Sequence, residues 1–285
     1  MLTVLAPAKL NLTLEVLTKR PDGFHEIRSV IQTISLSDEL HFQLGQNIEF
    51  KCDEPEWLPE KSLVSKAASL LQETTGCRKG AIIGISKRIP LISGLGGDSS
   101  DAAAVLRGLN RLWELDLSLQ ELVKLASQIG SDVAFFLYGG TALVRGRGEV
   151  VTPLPPFPHR WVVLILPAIP RLPGKTGQLY ASLKTNHYTD GQITEKLVEM
   201  LREGREFTPF LLFNTFENVV FTHQSKINVY RSHAMKVGAS DVHLAGSGPT
   251  LYTLLEDRAQ AEELCIRLQH QRMQPYLVKT LASVD

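Results

Sequence analysis

A glycine-rich segment lies directly before a predicted helix. Residues 90–105 read PLISGLGGDSSDAAAV, in which glycine, serine and aspartate precede an alanine-rich run. The first turn of a helix has unpaired N–H groups and a partial positive charge, and glycines allow close approach to the backbone, so this pattern indicates phosphate binding. An ordinary surface turn capped by Ser99 or Ser100 would also fit these residues. The segment lacks both the Walker spacing and the G-x-G-x-x-G fingerprint, so any nucleotide would lie in another architecture.

Three further segments carry residues that could act with this loop. Lys9 lies between apolar residues in PAKLNLTL, and Asp132 precedes the apolar stretch VAFFLYGG. Alternatively, Lys9 reaches solvent at a strand edge and Asp132 caps a helix. The segment LAGSGPTLY predicts a tight turn at Gly246, Ser247 and Gly248. An ordinary hairpin turn would also explain these residues. A Lys–Asp pair facing a phosphate loop suits phosphoryl transfer, because the carboxylate can accept the proton of an attacking hydroxyl and the ammonium can stabilise the alkoxide.

The composition limits the class of protein. The 285 residues are 44% hydrophobic, and 30 basic residues balance 30 acidic ones. Without a global basic field, nucleic acid or an anionic membrane is not expected as the main partner. The scattered Cys52, Cys77 and Cys265 indicate reduced packing residues rather than a metal site. Lys9 and Asn11 interrupt the early apolar run, so we expect no signal peptide and a soluble, cytoplasmic protein.

The elements that position these residues can be predicted from periodicity. Alternation over residues 9–16 predicts a half-buried strand, and KRPDGFHE at residues 19–26 predicts a turn. Further strands should be separated from helices near residues 62–76, 100–113, 118–129, 176–184, 191–203, 222–237 and 258–272. Runs of strands separated from helices favour an α+β fold. The proline cluster at residues 152–160 predicts a boundary, which gives domains of residues 1–155 and 156–285.

The motifs resemble a known family. Three segments are similar, in order and spacing, to the three motifs of the GHMP small-molecule kinases (galactose, homoserine, mevalonate and phosphomevalonate). These segments are PAKLNLTL, PLISGLGGDSSDAAAV and HLAGSGPTLY. The resemblance implies a two-domain α+β fold with the active site between the domains and ATP as phosphoryl donor. Mg²⁺ would arrive mainly with ATP, because it keeps several waters and uses substrate phosphates as ligands. No carboxylate cluster in the sequence identifies a protein ligand for it.

The turn RPDGFHEIRSV and the segments GSDVAFF and FENVVF narrow the resemblance to one branch of this family. Its members phosphorylate a cytidine diphosphate derivative of methylerythritol in the non-mevalonate route to isoprenoids. By position, Lys9 and Asp132 match the catalytic pair, with Asp132 as either general base or electrostatic anchor. The matching nucleotide-site residues are Lys87, Pro90, Leu91, Ile92, Ser93, Gly94, Leu95, Gly96, Gly97, Asp98, Ser99 and Ser100. The matching substrate-site residues are Asn11, Phe24, His25, Thr176 and Tyr180, with cytosine stacked between Phe24 and Tyr180.

This chain departs from the branch at three places. Asp98 stands where many members have a third glycine, and Ser62 stands where many have an asparagine beside the adenine. TGQLYASL is looser than the usual form around Thr176 and Tyr180. Two alternatives stay open: a kinase for homoserine or a mevalonate derivative, against which PDGFHE argues, and a silent ATP-binding regulator, which would not need the Lys–Asp pair. We expect a small-molecule substrate and a monomer or weak homodimer.

Overall fold

The computed structural model describes residues 1–170, 174–223 and 225–283. The first half contains β1 (Leu2–Lys19), β2 (His25–Gly45), β3 (Ile48–Cys52), α1 (Leu63–Thr75), β4 (Gly80–Ser86), α2 (Gly97–Leu112), α3 (Leu119–Ile129), α4 (Val133–Tyr138), β5 (Thr141–Gly146) and β6 (Val150–Pro153). The second half contains β7 (Trp161–Ile165), α5 (Lys175–Ser182), α6 (Gln192–Glu203), β8 (Phe213–Asn214), α7 (Glu217–His223), α8 (Ser225–Lys236), β9 (His243–Leu244), β10 (Leu251–Leu255), α9 (Arg258–His270) and β11 (Pro275–Lys279).

Two sheets organise these elements. The larger has the order β3-β4-β2-β1-β8, and β5 and β6 extend it from β2. The smaller is antiparallel, in the order β11-β7-β10-β9. Because β8 belongs to the second half and pairs with β1 of the first, the larger sheet joins both halves of the chain. Strand runs and helices are largely separate along the chain, so the predicted α+β class is confirmed.

β1 is buried on both faces, so the prediction of a half-buried strand over residues 9–16 is wrong. Leu10 lies in a core that β7 and α6 share, while Glu15 accepts a hydrogen bond from the backbone N–H of Thr194 in α6 at 2.7 Å. A register shift between Asn11 and Thr13 marks a bulge in the pairing with β2. A bulge re-aims the side chains that follow it, and Leu14 accordingly lines the same cavity as Asn11.

Local signals place the helices that border the site. Ser62 caps α1 by accepting a hydrogen bond from the backbone N–H of Val64, and Gly76 ends the helix in the left-handed conformation, as predicted. α2 begins at Gly97, three residues before the predicted start, so the glycine segment supplies its first turn. The helix predicted near residues 222–237 corresponds to α7 and α8; residue 224 lies outside the described residues.

Candidate active site

Lys9 points from the middle of β1 into a cavity of about 510 Å³ lined by both halves of the chain. Its side chain is 7% exposed, and its Nζ donates a hydrogen bond to Asn11 Oδ1 at 2.7 Å. The Asn11 amide donates in turn to Ser29 Oγ at 2.9 Å, which turns the amide oxygen toward the ammonium. Lys9 Nζ also lies 3.7 Å from Asp132 Oδ2. The structure therefore brings together the two residues that were predicted to form the catalytic pair.

Asp132 immediately precedes α4. Within the described chain its side chain makes no capping hydrogen bond, so the alternative explanation of Asp132 as a helix cap is wrong. The carboxylate instead lies at the cavity wall beside Lys9. An ion-paired carboxylate at a cavity wall is placed to accept a proton from a bound hydroxyl group.

The glycine loop packs directly on Lys9. Gly96 has a φ of 76°, and a Cβ added there would lie 2.8 Å from the ring of Phe136 and 3.1 Å from Lys9 Cγ. The backbone N–H of Lys9 donates to the carbonyl oxygen of Leu95 at 2.9 Å. Only glycine allows both this left-handed conformation and this close approach. The start of α2, whose first N–H groups have no partners within the helix, is thereby held against Lys9.

A second glycine turn, residues 246–248, faces the loop from the second half. A Cβ added to Gly94 would lie 2.3 Å from the carbonyl oxygen of Ala245, so the two backbones are in direct contact. Asn214 holds this turn by donating to the carbonyl oxygens of Leu244 and Gly246 at 2.9 and 2.8 Å. The turn therefore lines the central cavity together with the glycine loop.

Two further cavities adjoin the central one. A cavity of about 490 Å³ shares Ile92, Gly94, Gly96 and Ser99 with it and extends to Trp57. Another of about 430 Å³ shares Ser131, Arg147, Thr176 and Tyr180 with it and extends to Phe24 and His25. The three form a trough with the Lys9–Asp132 pair in its middle. Such a trough can hold a phosphoryl donor at one end and an acceptor at the other.

The Trp57 end, here called the nucleotide side, is lined by most of the predicted ATP-binding residues: Lys87, Pro90, Leu91, Ile92, Ser93, Gly94, Gly96, Gly97, Asp98 and Ser99. The remaining two lie differently. Leu95 is buried in the core that joins the halves, and the Ser100 hydroxyl donates to the carbonyl oxygen of Pro7 at 2.7 Å.

The Lys87 ammonium is held by two buried carboxylates on the nucleotide side. It lies 2.7 Å from Asp101 Oδ2 and also contacts Asp38, whose other oxygen accepts from the backbone N–H groups of Arg88 and Ile89. Burial lowers the pKa of Lys87, but the two carboxylates outweigh it and raise the pKa overall. Burial raises the pKa of Asp101, and the charge of Lys87 opposes this rise. The cluster of Lys87, Asp38 and Asp101 therefore links β2 and α2 to the segment that leads into the glycine loop.

Asp98 and Ser62, two of the positions that depart from the branch's pattern, contact each other. The Ser62 hydroxyl donates to Asp98 Oδ1, and the backbone N–H of Leu63 lies 3.1 Å from Asp98 Oδ2. The Asp98 carboxylate thus serves the start of α1, where a negative charge is favourable. The Asp98 carboxylate therefore points toward the start of α1 and away from the glycine loop.

The opposite end of the trough, here called the acceptor side, is made of side chains. The rings of His25 and Tyr180 are stacked, with their centroids 4.9 Å apart, and burial lowers the pKa of His25. Phe24 is 53% exposed, and the Arg147 guanidinium lies 4.7 Å from its ring centroid. The Thr176 hydroxyl lies 2.8 Å from that of Ser247. Stacking of a base between Phe24 and Tyr180 stays a prediction.

Sequence reasoning missed several residues of the trough, among them one aromatic and two cationic side chains. Trp57 lines the nucleotide side, Arg147 lies between the central cavity and the acceptor side, and Lys175 lines the central cavity. Arg147 belongs to the run RGRG at the end of β5, a pattern of cations and glycines that could have indicated an anion site. Lys175 lies in the similar run GKTG, whereas Trp57 lies in a segment without a comparable pattern.

The described residues contain no cluster of three or more His, Cys, Asp or Glu side chains that could hold a metal ion. Throughout the same residues, every helix is too short or too polar to cross a membrane.

Family models of the GHMP kinases match both halves of the chain. The model of the N-terminal domain matches residues 62–140, and the model of the C-terminal domain matches residues 194–271.

Individual proteins match over greater lengths. A relative from Dehalococcoides mccartyi named 4-diphosphocytidyl-2-C-methyl-D-erythritol kinase is 47% identical over 285 residues, which is 100% of each chain. One of the same name from Geobacillus thermodenitrificans is 39% identical over 267 residues, or 92% of this chain and 91% of the relative. A crystal structure of 4-(cytidine 5'-diphospho)-2C-methyl-D-erythritol kinase matches with a TM-score of 0.82 and 32% identity, covering 98% of this chain and 99% of that one. The chain therefore belongs to the 4-diphosphocytidyl-2-C-methyl-D-erythritol kinase family of the GHMP kinases.

Proposed function

We propose that this chain transfers the γ-phosphoryl group of ATP to the 2-hydroxyl group of 4-diphosphocytidyl-2-C-methyl-D-erythritol, in the non-mevalonate route to isoprenoid precursors. Family membership over the full length supports the reaction, and a GHMP kinase uses ATP. The observation that carries the assignment of residues is the Lys9–Asp132 pair, which lies 3.7 Å apart between the nucleotide side and the acceptor side.

The donor phosphates bind at the glycine loop. Gly97, Asp98 and Ser99 form the first turn of α2, where backbone N–H groups lack partners within the helix. These groups and the partial positive charge of the helix start suit the β- and γ-phosphates. Phosphoryl transfer depends mainly on positioning and on electrostatic stabilisation, both of which this rigid backbone supplies.

Asp132 accepts the proton of the attacking hydroxyl group. The hydroxyl oxygen forms a bond to the γ-phosphorus, the bond from that phosphorus to the β-γ bridging oxygen breaks, and ADP leaves. Lys9 stabilises the negative charge that develops on the attacking oxygen. A positioned base of this kind contributes about 10²–10⁴-fold to the rate.

Mg²⁺ accompanies the nucleotide in this proposal. Its preferred ligands are oxygen atoms, several of them from water and substrate phosphates. Ser99 lines the central cavity with a hydroxyl oxygen, so it fits an ion that is carried mainly by ATP. When bound, the ion neutralises charge on the phosphates.

The cytidine end of the acceptor binds on the acceptor side, where Phe24, His25 and Tyr180 offer aromatic surfaces. Asn11 and Thr176 line the central cavity nearer to the reacting group. In this arrangement the base occupies the cavity next to the one that Asp132 lines. The diphosphate of the acceptor would span the two cavities.

Coupled ADP release with 4-diphosphocytidyl-2-C-methyl-D-erythritol tests the proposal. We expect ADP release that depends on this acceptor and on Mg²⁺. Faster release with homoserine or mevalonate would assign the chain to another GHMP reaction. ATP binding without acceptor-dependent ADP release would instead indicate an ATP-binding regulator.

A further inference from the structure

Lys175, the first residue of α5, lines the central cavity and has no role in the reaction described above. Burial lowers its pKa to about 8, and no carboxylate of the described residues contributes to this shift. Two other lysines of the trough, Lys9 and Lys87, differ in this respect. Lys9 faces Asp132, and the Lys87 ammonium contacts two buried aspartates. A cation that has no anionic partner among the described residues and is partly removed from water destabilises a fold, so an anionic ligand is expected at Lys175.

The position of Lys175 indicates what that partner is. A Cβ added to Gly248 would lie 3.4 Å from Lys175 Nζ, just as one added to Gly246 would lie 3.1 Å from Lys9 Nζ. Two ammonium groups therefore flank the same short turn. A Cβ added to Gly94 of the glycine loop would lie 2.9 Å from the backbone nitrogen of Gly248. Lys175 thus lies beside the contact between the turn and the loop that binds the donor phosphates.

We propose that Lys175 binds phosphoryl oxygens of the substrates in the central cavity and, together with Lys9, neutralises their charge from the second half of the chain. The inference rests on the proposed function. Two sources can supply such oxygens: the γ-phosphate of ATP and the diphosphate of the acceptor. An ammonium is a compact point charge on a flexible stem, which suits a group that moves during transfer.

The substitutions Lys175→Met and Lys175→Arg test this role. Methionine keeps an unbranched stem without the charge, and arginine keeps the charge. Since a hydrogen bond to a charged group contributes about 1.5–3 kcal/mol, we expect kcat/KM to fall roughly 10- to 100-fold in Lys175→Met. We expect Lys175→Arg to retain most of the activity. Lys196→Met, which removes an exposed lysine of α6, serves as the matched control and should stay within twofold of wild type.

The kinetic constants distinguish the two sources. A rise confined to the KM for ATP identifies the donor phosphate, and a rise confined to the KM for the acceptor identifies the diphosphate. A fall in kcat alone identifies the phosphoryl group in transfer. Titration with a non-hydrolysable ATP analogue and with CDP separates this inference from the proposed function, because binding is measured without turnover. Lys175→Met that matches wild type in kcat/KM and in both titrations would overturn the inference.

Thermal unfolding separates binding from a structural role. Removal of an unpaired, half-buried charge should leave the Tm of Lys175→Met equal to or above that of wild type, whereas loss of a structural contact would lower it. The folded-state pKa of Lys175, about 8, lies below its ordinary value of 10.5. The charged side chain therefore lowers the stability of the wild-type protein by its full amount below pH 8, and this loss of stability disappears as the pH rises toward 10.5. Any Tm advantage of the variant should shrink over this interval. The other titratable groups of the central cavity are the same in wild type and in Lys175→Met: Lys9, Asp132, Arg147 and Tyr180.

Discussion

The nucleotide side and the acceptor side of the trough are built in different ways. On the nucleotide side, Gly94 and Gly96 adopt positive φ values of 87° and 76°, and the buried Lys87 cluster supports the loop. On the acceptor side, Phe24 is 53% exposed and contacts the guanidinium of Arg147, which lies in the turn between β5 and β6. One side is a rigid backbone surface, and the other is a set of side chains on loops.

This difference matches the chemistry of the two ligands. Phosphates are bound by N–H groups and helix starts, which any sequence with the right backbone can offer. A nucleoside base is distinguished by stacking and by hydrogen bonds to its edge, which need particular side chains. Changes on the nucleotide side should therefore act through backbone geometry, whereas changes on the acceptor side should act through single side chains.

The largest effect is expected at the boundary between the two sides. Asp132→Asn keeps the shape of the side chain but cannot accept the proton, so kcat should fall about 10²–10⁴-fold. Both KM values should stay within about threefold, because neither side of the trough is altered. Lys9→Ala should be severely impaired as well. Asp241→Asn, at an exposed carboxylate in the second half, is the matched control. Wild-type turnover in Asp132→Asn would remove it from the catalytic assignment.

The next prediction contrasts two glycines. Gly94→Ala forces a left-handed alanine, which costs about 1–2 kcal/mol, and also places its Cβ 2.3 Å from the carbonyl oxygen of Ala245. We expect a lower Tm and at least about a tenfold loss in kcat/KM for ATP. A Cβ at Gly177 on the acceptor side has no protein atom within 4 Å, so Gly177→Ala should have equal or slightly higher stability. Equal sensitivity at the two positions would contradict the contrast.

Phe24→Ala should affect the acceptor alone. Stacking on an aromatic ring contributes about 1–3 kcal/mol, so the KM for the acceptor should rise roughly 5- to 150-fold while the KM for ATP is unchanged. Stacking is tolerant of the base, so cytidine and uridine analogues should lose affinity alike. Changes at His25, which lies next to Phe24, should instead reduce the preference for cytidine. Phe210→Ala, at a residue that is 95% exposed, is the control. A larger change in the KM for ATP would reverse the assignment of the two sides.

The smallest effect concerns Asp98 and Ser62. Either change to alanine removes part of the cap of α1 and should lower the free energy of unfolding by about 1 kcal/mol. Because the two side chains contact each other, the double variant should lose less than the sum, with a coupling of at least about 0.5 kcal/mol. Denaturant unfolding of the four proteins measures this cycle. Additive losses would show that the two residues act independently.

Local signals in the sequence predicted much of the fold and part of the site. The cap at Ser62, the stop at Gly76 and the turn between β1 and β2 were predicted correctly, because each depends on residues within one turn of itself. The bulge in β1 could not be predicted, since alternation alone does not show where the pairing with β2 shifts register. The resemblance supplied Lys9 and Asp132 as a pair, and the structure places them 3.7 Å apart.

The sequence by itself determined the family, the α+β class and the glycine loop, because these depend on residue type and on spacing along the chain. Only the tertiary structure decided which charges meet. Lys87 meets its aspartates from β2 and α2, and the Ser62 hydroxyl meets Asp98 across 36 positions of sequence. Lys175, 43 positions beyond Asp132, lines the cavity and has no partner carboxylate within the described part of the chain. Electrostatic interaction depends on distance and burial, and packing between distant segments sets both.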